Sequence, residues 1–304
     1  MTEITPSPPL LSTLNGKVAV LTGGANGIGA STVRLFTSLG ARVMFCDLDS
    51  QHGEALAAEL GREKTRFLKL DVTDYEQQYE LFRTALETWG RIDVVVANAG
   101  LTELGDIFGL SEDLSLPPSM GVIDVNLKAV IYTARLGVGF MRPSGGGALV
   151  LVSSVAGFKE SPGLWVYGAS KHGVYGLMRC LRSVSGPQWG VSVNAICPWM
   201  TTETVMVEGI ETLWDKASLP TNEPSDIAMC IATAATANND PKSRHPGAAT
   251  PFNGKALFIS GGRFYEIEDN IDRLEPEWLG AQNSRDLFKG QEVLGSGDGW
   301  TSKQ

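Results

Sequence analysis

The chain has 304 residues, 43% of them hydrophobic and 19% charged, a balance that sustains a globular core and excludes a fibre or a disordered chain. Its 25 Lys and Arg against 34 Asp and Glu leave a net charge of -9, which argues against a broad grip on nucleic acid or anionic lipid and for small-molecule partners. Four cysteines (Cys46, Cys180, Cys197, Cys230) stand singly and three histidines (His52, His172, His245) lie far apart, so neither a disulfide framework nor a metal site is expected. There is no signal-like start and no apolar run of about 20 residues, which makes the cytoplasm the expected location.

Residues 1–15, with three prolines, read as an N-terminal extension. From Lys17 onward, short β-branched runs (KVAVLTG, ARVMFCD, TRFLKLD, DVVVANAG, GALVLVSS, VSVNAICP, KALFIS) alternate with segments of helical period. Strands that are apolar without alternation are buried on both faces. The expected fold is therefore α/β: one doubly wound parallel sheet of seven strands with helices on both faces, filling residues 16–265 as a single domain. Residues 101–119, 199–224 and 238–251 interrupt the rhythm, the last as an exposed loop. Residues 266–304 form a C-terminal extension that opens on an acidic amphipathic stretch, and its last ten or so residues are expected to be disordered.

The first strand runs into Gly23-Gly24-Ala25-Asn26-Gly27-Ile28-Gly29 and then a helix. Such a turn lets the backbone approach a pyrophosphate, and the helix N-terminus beyond it offers free N–H groups to the phosphates. The P-loop alternative fails because Ala30-Ser31 stands where Lys-Ser/Thr is required. Asp47 ends the second strand about 20 residues on, where a carboxylate accepts the ribose hydroxyls and repels a 2′-phosphate; with no Arg or Lys in the turn or just after Asp47, the expected cofactor is NAD. Leu48 follows it, and Asp71-Val72 after the third strand is a candidate for the adenine.

Tyr167 and Lys171 are four apart and share a helical face. Ser154 closes a strand 13 residues before Tyr167, with Ser153 as a possible swap; Asn126 lies in DVNLKAV; and Asn98-Ala99-Gly100 closes the fourth strand. Chemistry in open α/β sheets gathers at the carboxyl ends of strands.

On these motifs (T-G-x-x-x-G-x-G as Thr22, Gly23, Gly27, Gly29; N-A-G as Asn98, Ala99, Gly100; and the tetrad Asn126, Ser154, Tyr167, Lys171) residues 15–265 resemble the short-chain dehydrogenase/reductases, a single-domain Rossmann-type family. Within it, YGASKHGVYGL followed by VNAICP looks most like NAD-dependent alcohol dehydrogenases akin to 15-hydroxyprostaglandin dehydrogenase. The resemblance implies hydride transfer between a nicotinamide and a secondary alcohol or ketone. Tyr167 would be the base, its phenol lowered by Lys171 and oxidised nicotinamide. Lys171 would also hold the nicotinamide ribose, Ser154 the substrate oxygen, and Asn126 a water leading protons to solvent. After Pro198 the sequence departs from the family: Trp199 replaces a glycine and Glu203 stands where a threonine would bind the carboxamide, leaving Thr202 and Thr204 as candidates.

Phe158, Trp165 and the segment from Trp199 to Leu219 carry many apolar side chains and few cations, pointing to a hydrophobic substrate. The resemblance also implies a homodimer or homotetramer through helices near 122–141 and 166–185. Two other readings are a non-redox isomerase or cyclase that keeps bound nicotinamide, and an NAD-sensing binding protein.

Overall fold

In the computed structural model, residues 2–103, 105–109, 113–204, 211–236 and 243–295 are described. The strands are β1 (Thr2–Ile4), β2 (Val18–Thr22), β3 (Arg42–Asp47), β4 (Thr65–Lys69), β5 (Val94–Ala97), β6 (Gly147–Val152), β7 (Val191–Pro198), β8 (Ala256–Ser260) and β9 (Arg263–Glu266). They form one sheet in the order β1-β9-β8-β7-β6-β5-β2-β3-β4. The seven expected strands are β2 to β8, each parallel to its neighbours among them. Consecutive residues of β2, such as Ala19 and Val20, are both fully buried on opposite faces, which requires helices on each side.

The sheet has nine strands rather than seven. Gly261 and Gly262, at φ +59° and +70°, make a two-residue reversal that folds β9 back antiparallel on β8. The N-terminal extension then supplies β1, which pairs antiparallel with β9 and covers its open edge. Helix α1 (Pro8–Leu11) follows, and Leu10, Leu11 and Leu14 are buried, so residues 1–15 are part of the domain's packing.

One face of the sheet carries α2 (Gly27–Ser38), α3 (Ser50–Leu60) and α9 (Pro224–Ala235), with Val33, Phe36, Ile227 and Ile231 packed on Leu21, Val43 and Val96. The other carries α4 (Tyr75–Trp89), α6 (Ala129–Met141) and α7 (Trp165–Trp189), with Leu81, Phe82, Met141 and Met178 on Val20, Val95 and Leu149. Each such side chain contributes about 1.5–3 kcal/mol by leaving water. Asp74 starts α4 by accepting from Glu76 N and Gln77 N (2.9 and 3.2 Å), and Gly90, at φ +75°, ends it. Short helices α5 (Gly121–Ile123) and α8 (Glu211–Lys216) lie in the interruptions.

The acidic stretch after β9 becomes α10 (Glu268–Leu279), followed by α11 (Ala281–Gly295); the end expected to be disordered falls mainly on residues 296–304, outside the described residues. Glu268 is buried and pairs with Arg179 and Arg182 of α7 (2.8 and 2.7 Å), fastening the extension to the helix that holds Tyr167 and Lys171. No helix among the described residues is long and apolar enough to cross a membrane.

The interruption read as an exposed loop holds a buried exception. His245 is 1% exposed; its Nδ1 accepts from Ser7 N (3.0 Å), its Nε2 lies 3.3 Å from Thr236 Oγ1, and burial pushes its pKa down to about 4. An unfolded histidine titrates near 6.5, so between about pH 6.5 and 4 the unfolded chain binds a proton that the folded chain refuses. Stability is therefore expected to fall by up to roughly 3 kcal/mol as pH drops through that window. Urea melts of wild type and His245→Leu at pH 7 and 4.5 check this: the variant should lose most of the pH dependence, and an equal dependence in both would contradict it.

Candidate active site

The strand order reverses between β2 and β5, and the crevice beyond their carboxyl ends is where a doubly wound sheet receives a ligand. The glycine turn leaves β2, and Asn98-Ala99-Gly100 leaves β5 beside it. Asn98 Nδ2 donates to Thr22 O and Gly23 O (3.1 and 2.7 Å), while Thr22 Oγ1 accepts from Asn98 N and Ala99 N (both 3.2 Å). Asn98 thus holds the turn's shape through carbonyls, with Thr22 as its partner. At Gly23, itself at φ +70°, and at Gly29 there is also no room for a side chain: a β-carbon would stand 2.7 Å from Ala99 Cα at the first and 1.8 Å from Gly23 O at the second.

Gly27 is different. Its φ is +50°, and the nearest neighbours of a β-carbon there are Thr204 Cγ2 (3.5 Å) and Glu203 O (3.9 Å). The end of the segment after β7 thus lies over the turn with the Thr204 methyl toward Gly27, while the Thr204 hydroxyl donates to Thr201 O (3.1 Å). Thr202, the other candidate, gives both N and Oγ1 to Asn222 O (2.9 and 3.2 Å), while Pro198 ends β7 as a buried residue. Glu203, in the threonine's expected place, takes a left-handed φ of +54°.

Helix α2 begins at Gly27-Ile28-Gly29, and Asn26 at its start does not cap it, donating instead to Asp49 Oδ2 (3.1 Å). The N–H groups of the first turn thus face the crevice with the helix's partial positive charge. Asp47 accepts from Ala25 N (3.0 Å) and Asp49 N (3.1 Å), joining the end of β3 to the turn; Leu48 beside it is 64% exposed. No Lys or Arg among the described residues forms an ion pair with Asp47. Asp71 Oδ1 accepts from Thr73 N and Oγ1 (both 2.8 Å), and Val72 is buried at the edge of the core, its carbonyl accepting from Gln78 Nε2 (2.6 Å). A tight glycine turn, an uncapped helix start and a carboxylate after the second parallel strand fit a dinucleotide.

The four tetrad residues converge on this crevice from three elements. Asn126 sits in a π-helical turn, Asp124–Lys128, between α5 and α6 and is fully buried. Its Oδ1 accepts from Leu101 N and its Nδ2 donates to Leu101 O, both at 2.8 Å, with Ser170 Oγ 3.2 Å from Nδ2. Lys171 Nζ, 3% exposed, donates to Val152 O (3.0 Å) and lies 5.6 Å from the Tyr167 ring centroid. A β-carbon at Gly100 would stand 3.3 Å from Asn126 Oδ1 and 3.4 Å from Lys171 Nζ, so the two side chains border one gap that glycine keeps open. Ser154 follows β6, and its hydroxyl accepts from Ala156 N (3.1 Å) and lies close enough to the Tyr167 phenol to lower it slightly. The neighbouring Ser153 donates to Lys171 O (2.9 Å), which removes it as the swap for Ser154.

Burial pushes the Tyr167 phenol up, against a smaller lowering by the Ser154 hydrogen bond. The same burial pushes Lys171 down to about 8, which leaves it chiefly a cation at neutral pH.

Partly buried rings from the segments after β6 and β7, from β8 and from α8 form a row. Phe158 meets Phe258 of β8 edge-on (6.0 Å between centroids), Phe258 meets Trp199 (6.4 Å), and Trp199 meets Trp214 of α8 (5.2 Å). Trp165 stands apart from that row: 42% exposed, it donates Nε1 to Asp106 Oδ1 (2.8 Å) and packs on Phe108 (5.6 Å).

A family model described as short chain dehydrogenase matches residues 17–213. Among curated proteins, the short-chain dehydrogenase/reductase prx4 of Penicillium rubens is 31% identical across 96% of this chain and 89% of its own. The short-chain dehydrogenase/reductase ascJ of Acremonium egyptiacum is 34% identical across 89% of this chain and 87% of its own. A 3-alpha-(or 20-beta)-hydroxysteroid dehydrogenase of Mycobacterium tuberculosis is 32% identical across 88% of this chain and 98% of its own. On that match and these relatives, the chain belongs to the short-chain dehydrogenase family, oxidoreductases built on a Rossmann-type fold.

Proposed function

We propose that this protein is an NAD-dependent oxidoreductase that interconverts a hydrophobic secondary alcohol and its ketone, with Tyr167 as acid and base. The observation that carries the reading is the convergence of Tyr167, Ser154 and Lys171 beside the mouth of the glycine turn. A bound nicotinamide supplies the hydride acceptor or donor at the substrate carbon. In oxidation, the Tyr167 Oη takes the proton of the alcohol hydroxyl; in reduction it returns that proton to the carbonyl oxygen. Ser154 Oγ bonds the substrate oxygen and the phenol, fixing one against the other. Lys171 Nζ stabilises the phenolate and holds the ribose hydroxyls. The gap at Gly100 lets a water join Lys171 to Asn126 and carry the proton toward solvent.

The row from Phe158 to Trp214 supports an apolar substrate with a flat or ring-bearing face. The relative named for hydroxysteroids agrees with a secondary alcohol on such a frame. We place the enzyme in the cytoplasm as a homodimer or homotetramer, on its four free cysteines and on the family's habit of pairing through the helices that are α6 and α7 here.

NAD preference rests on Asp47, whose carboxylate would oppose a 2′-phosphate. In Asp47→Asn the amide oxygen still accepts from Ala25 N, while the repelling charge is gone. The ratio of kcat/KM for NAD to that for NADP is expected to fall about 10- to 100-fold, equivalent to roughly 1.4–2.8 kcal/mol. Parallel assays with both cofactors across a panel of cyclic and aromatic secondary alcohols test the whole reading. Wild type that prefers NADP, or that oxidises none of the panel, would contradict it.

A further inference from the structure

Helix α7 starts without a cap of its own. Leu164, at its N-cap position, has no side-chain acceptor, yet the first turn of a helix leaves backbone N–H groups without intrahelical partners. The missing acceptor comes from the loop after β5. Glu103 Oε1 accepts from Trp165 N at 2.7 Å, and Glu103 Oε2 accepts from Tyr167 N at 2.6 Å. Both oxygens of one carboxylate therefore hold the helix start, and one of them holds the amide of Tyr167 itself.

We propose that Glu103 is a positioning residue for Tyr167, capping α7 from the rim of the active site; this rests on Tyr167 being the acid and base. A carboxylate suits the place twice over, as a charged acceptor and as a negative charge at the positive end of a helix. The loop that carries it is fastened at both ends to the same machinery. Leu101 exchanges two hydrogen bonds with the Asn126 side chain, and Asp106 accepts from the Trp165 indole, against which Phe108 packs. Leu101 and Glu103 thus tie the Asn126 end of the relay to the backbone of Tyr167. The consequence is that the phenol's place over the substrate depends on a side chain 64 residues away that touches no reacting atom. Displacements of about 1 Å at a reacting group can cost on the order of a hundredfold in rate.

The test uses the full chain with NAD and an alcohol that wild type oxidises. In Glu103→Ala, kcat is expected to fall about 10- to 100-fold while the dissociation constant for NADH, read by fluorescence titration, stays within about twofold. Glu103→Gln, which keeps one acceptor oxygen, should fall between wild type and alanine. Wild-type kcat in folded Glu103→Ala overturns the proposal, as does an equal loss of kcat and NADH affinity, the mark of a general loosening. Should the alanine variant not fold, Glu103→Asp, shorter by one methylene, takes its place with the same outcomes. Tyr167→Phe in the same assay separates the two levels. If it keeps activity, the reading of Tyr167 fails. If it loses activity while Glu103→Ala keeps full kcat, only the positioning role fails.

Discussion

Tyr167→Phe is expected to lower kcat for alcohol oxidation by about 10^2- to 10^4-fold and to leave NADH affinity nearly unchanged. The phenylalanine ring keeps the shape that packs between Ser154 and Lys171 and removes only the hydroxyl that exchanges the substrate's proton. Burial pushes the phenol up in the chain itself, so the wild-type enzyme should oxidise faster as pH rises and reduce faster as pH falls. The sign follows from the proton: oxidation needs a phenol able to accept one, reduction a phenol that carries one. Steady-state rates in both directions across pH, with NADH titrations alongside, provide the check. A phenylalanine variant with wild-type kcat, or one that fails to bind NADH, would place the chemistry elsewhere.

Lys171→Met should also cost most of the activity, and little or no stability. The lysine is buried, with its pKa pushed down to about 8, so at neutral pH the folded chain holds a cation that water would solvate better. Methionine fills a similar volume without that penalty. It leaves Val152 O without the amine's hydrogen bond, a loss of about 1–3 kcal/mol that opposes the gain. The expected result is a Tm close to or above that of wild type, with kcat reduced about 10^2- to 10^3-fold or more. The sign for pH follows from the lowered pKa: wild-type stability rises between about pH 8 and 10.5 as the unfolded chain keeps a proton the folded chain has released, and the methionine variant should lose that rise. A large fall in Tm would mean that Lys171 is a structural anchor first.

The parallel core was legible because its signal is local: an apolar run buried on both faces looks the same wherever it sits in the chain. The glycine turn and the Tyr167–Lys171 pair were legible for a similar reason, since torsions and helical period fix their geometry within a few residues. The β9 reversal carried a cue in Gly261-Gly262, but Arg263–Glu266 is only four residues long and reads as tail. Strand β1 had no cue of its own, because an edge strand is made by the edge it covers. Buried His245 and the Glu103 cap depend on contacts across 238 and 62 to 64 residues, which no spacing reveals. Thr202 and Thr204 stay alike in the sequence and in their hydroxyls, which bond Asn222 O and Thr201 O; only the approach of the Thr204 methyl to Gly27 sets them apart.

The central claim is that a proton leaves through Tyr167 while a hydride leaves for NAD. It is tested most directly by mixing the enzyme with NAD and a cyclic secondary alcohol and following NADH absorbance beside ketone formation. One NADH should appear for every ketone, at a rate that collapses in Tyr167→Phe; turnover of substrate with no NADH formed would contradict it and favour a non-redox isomerase.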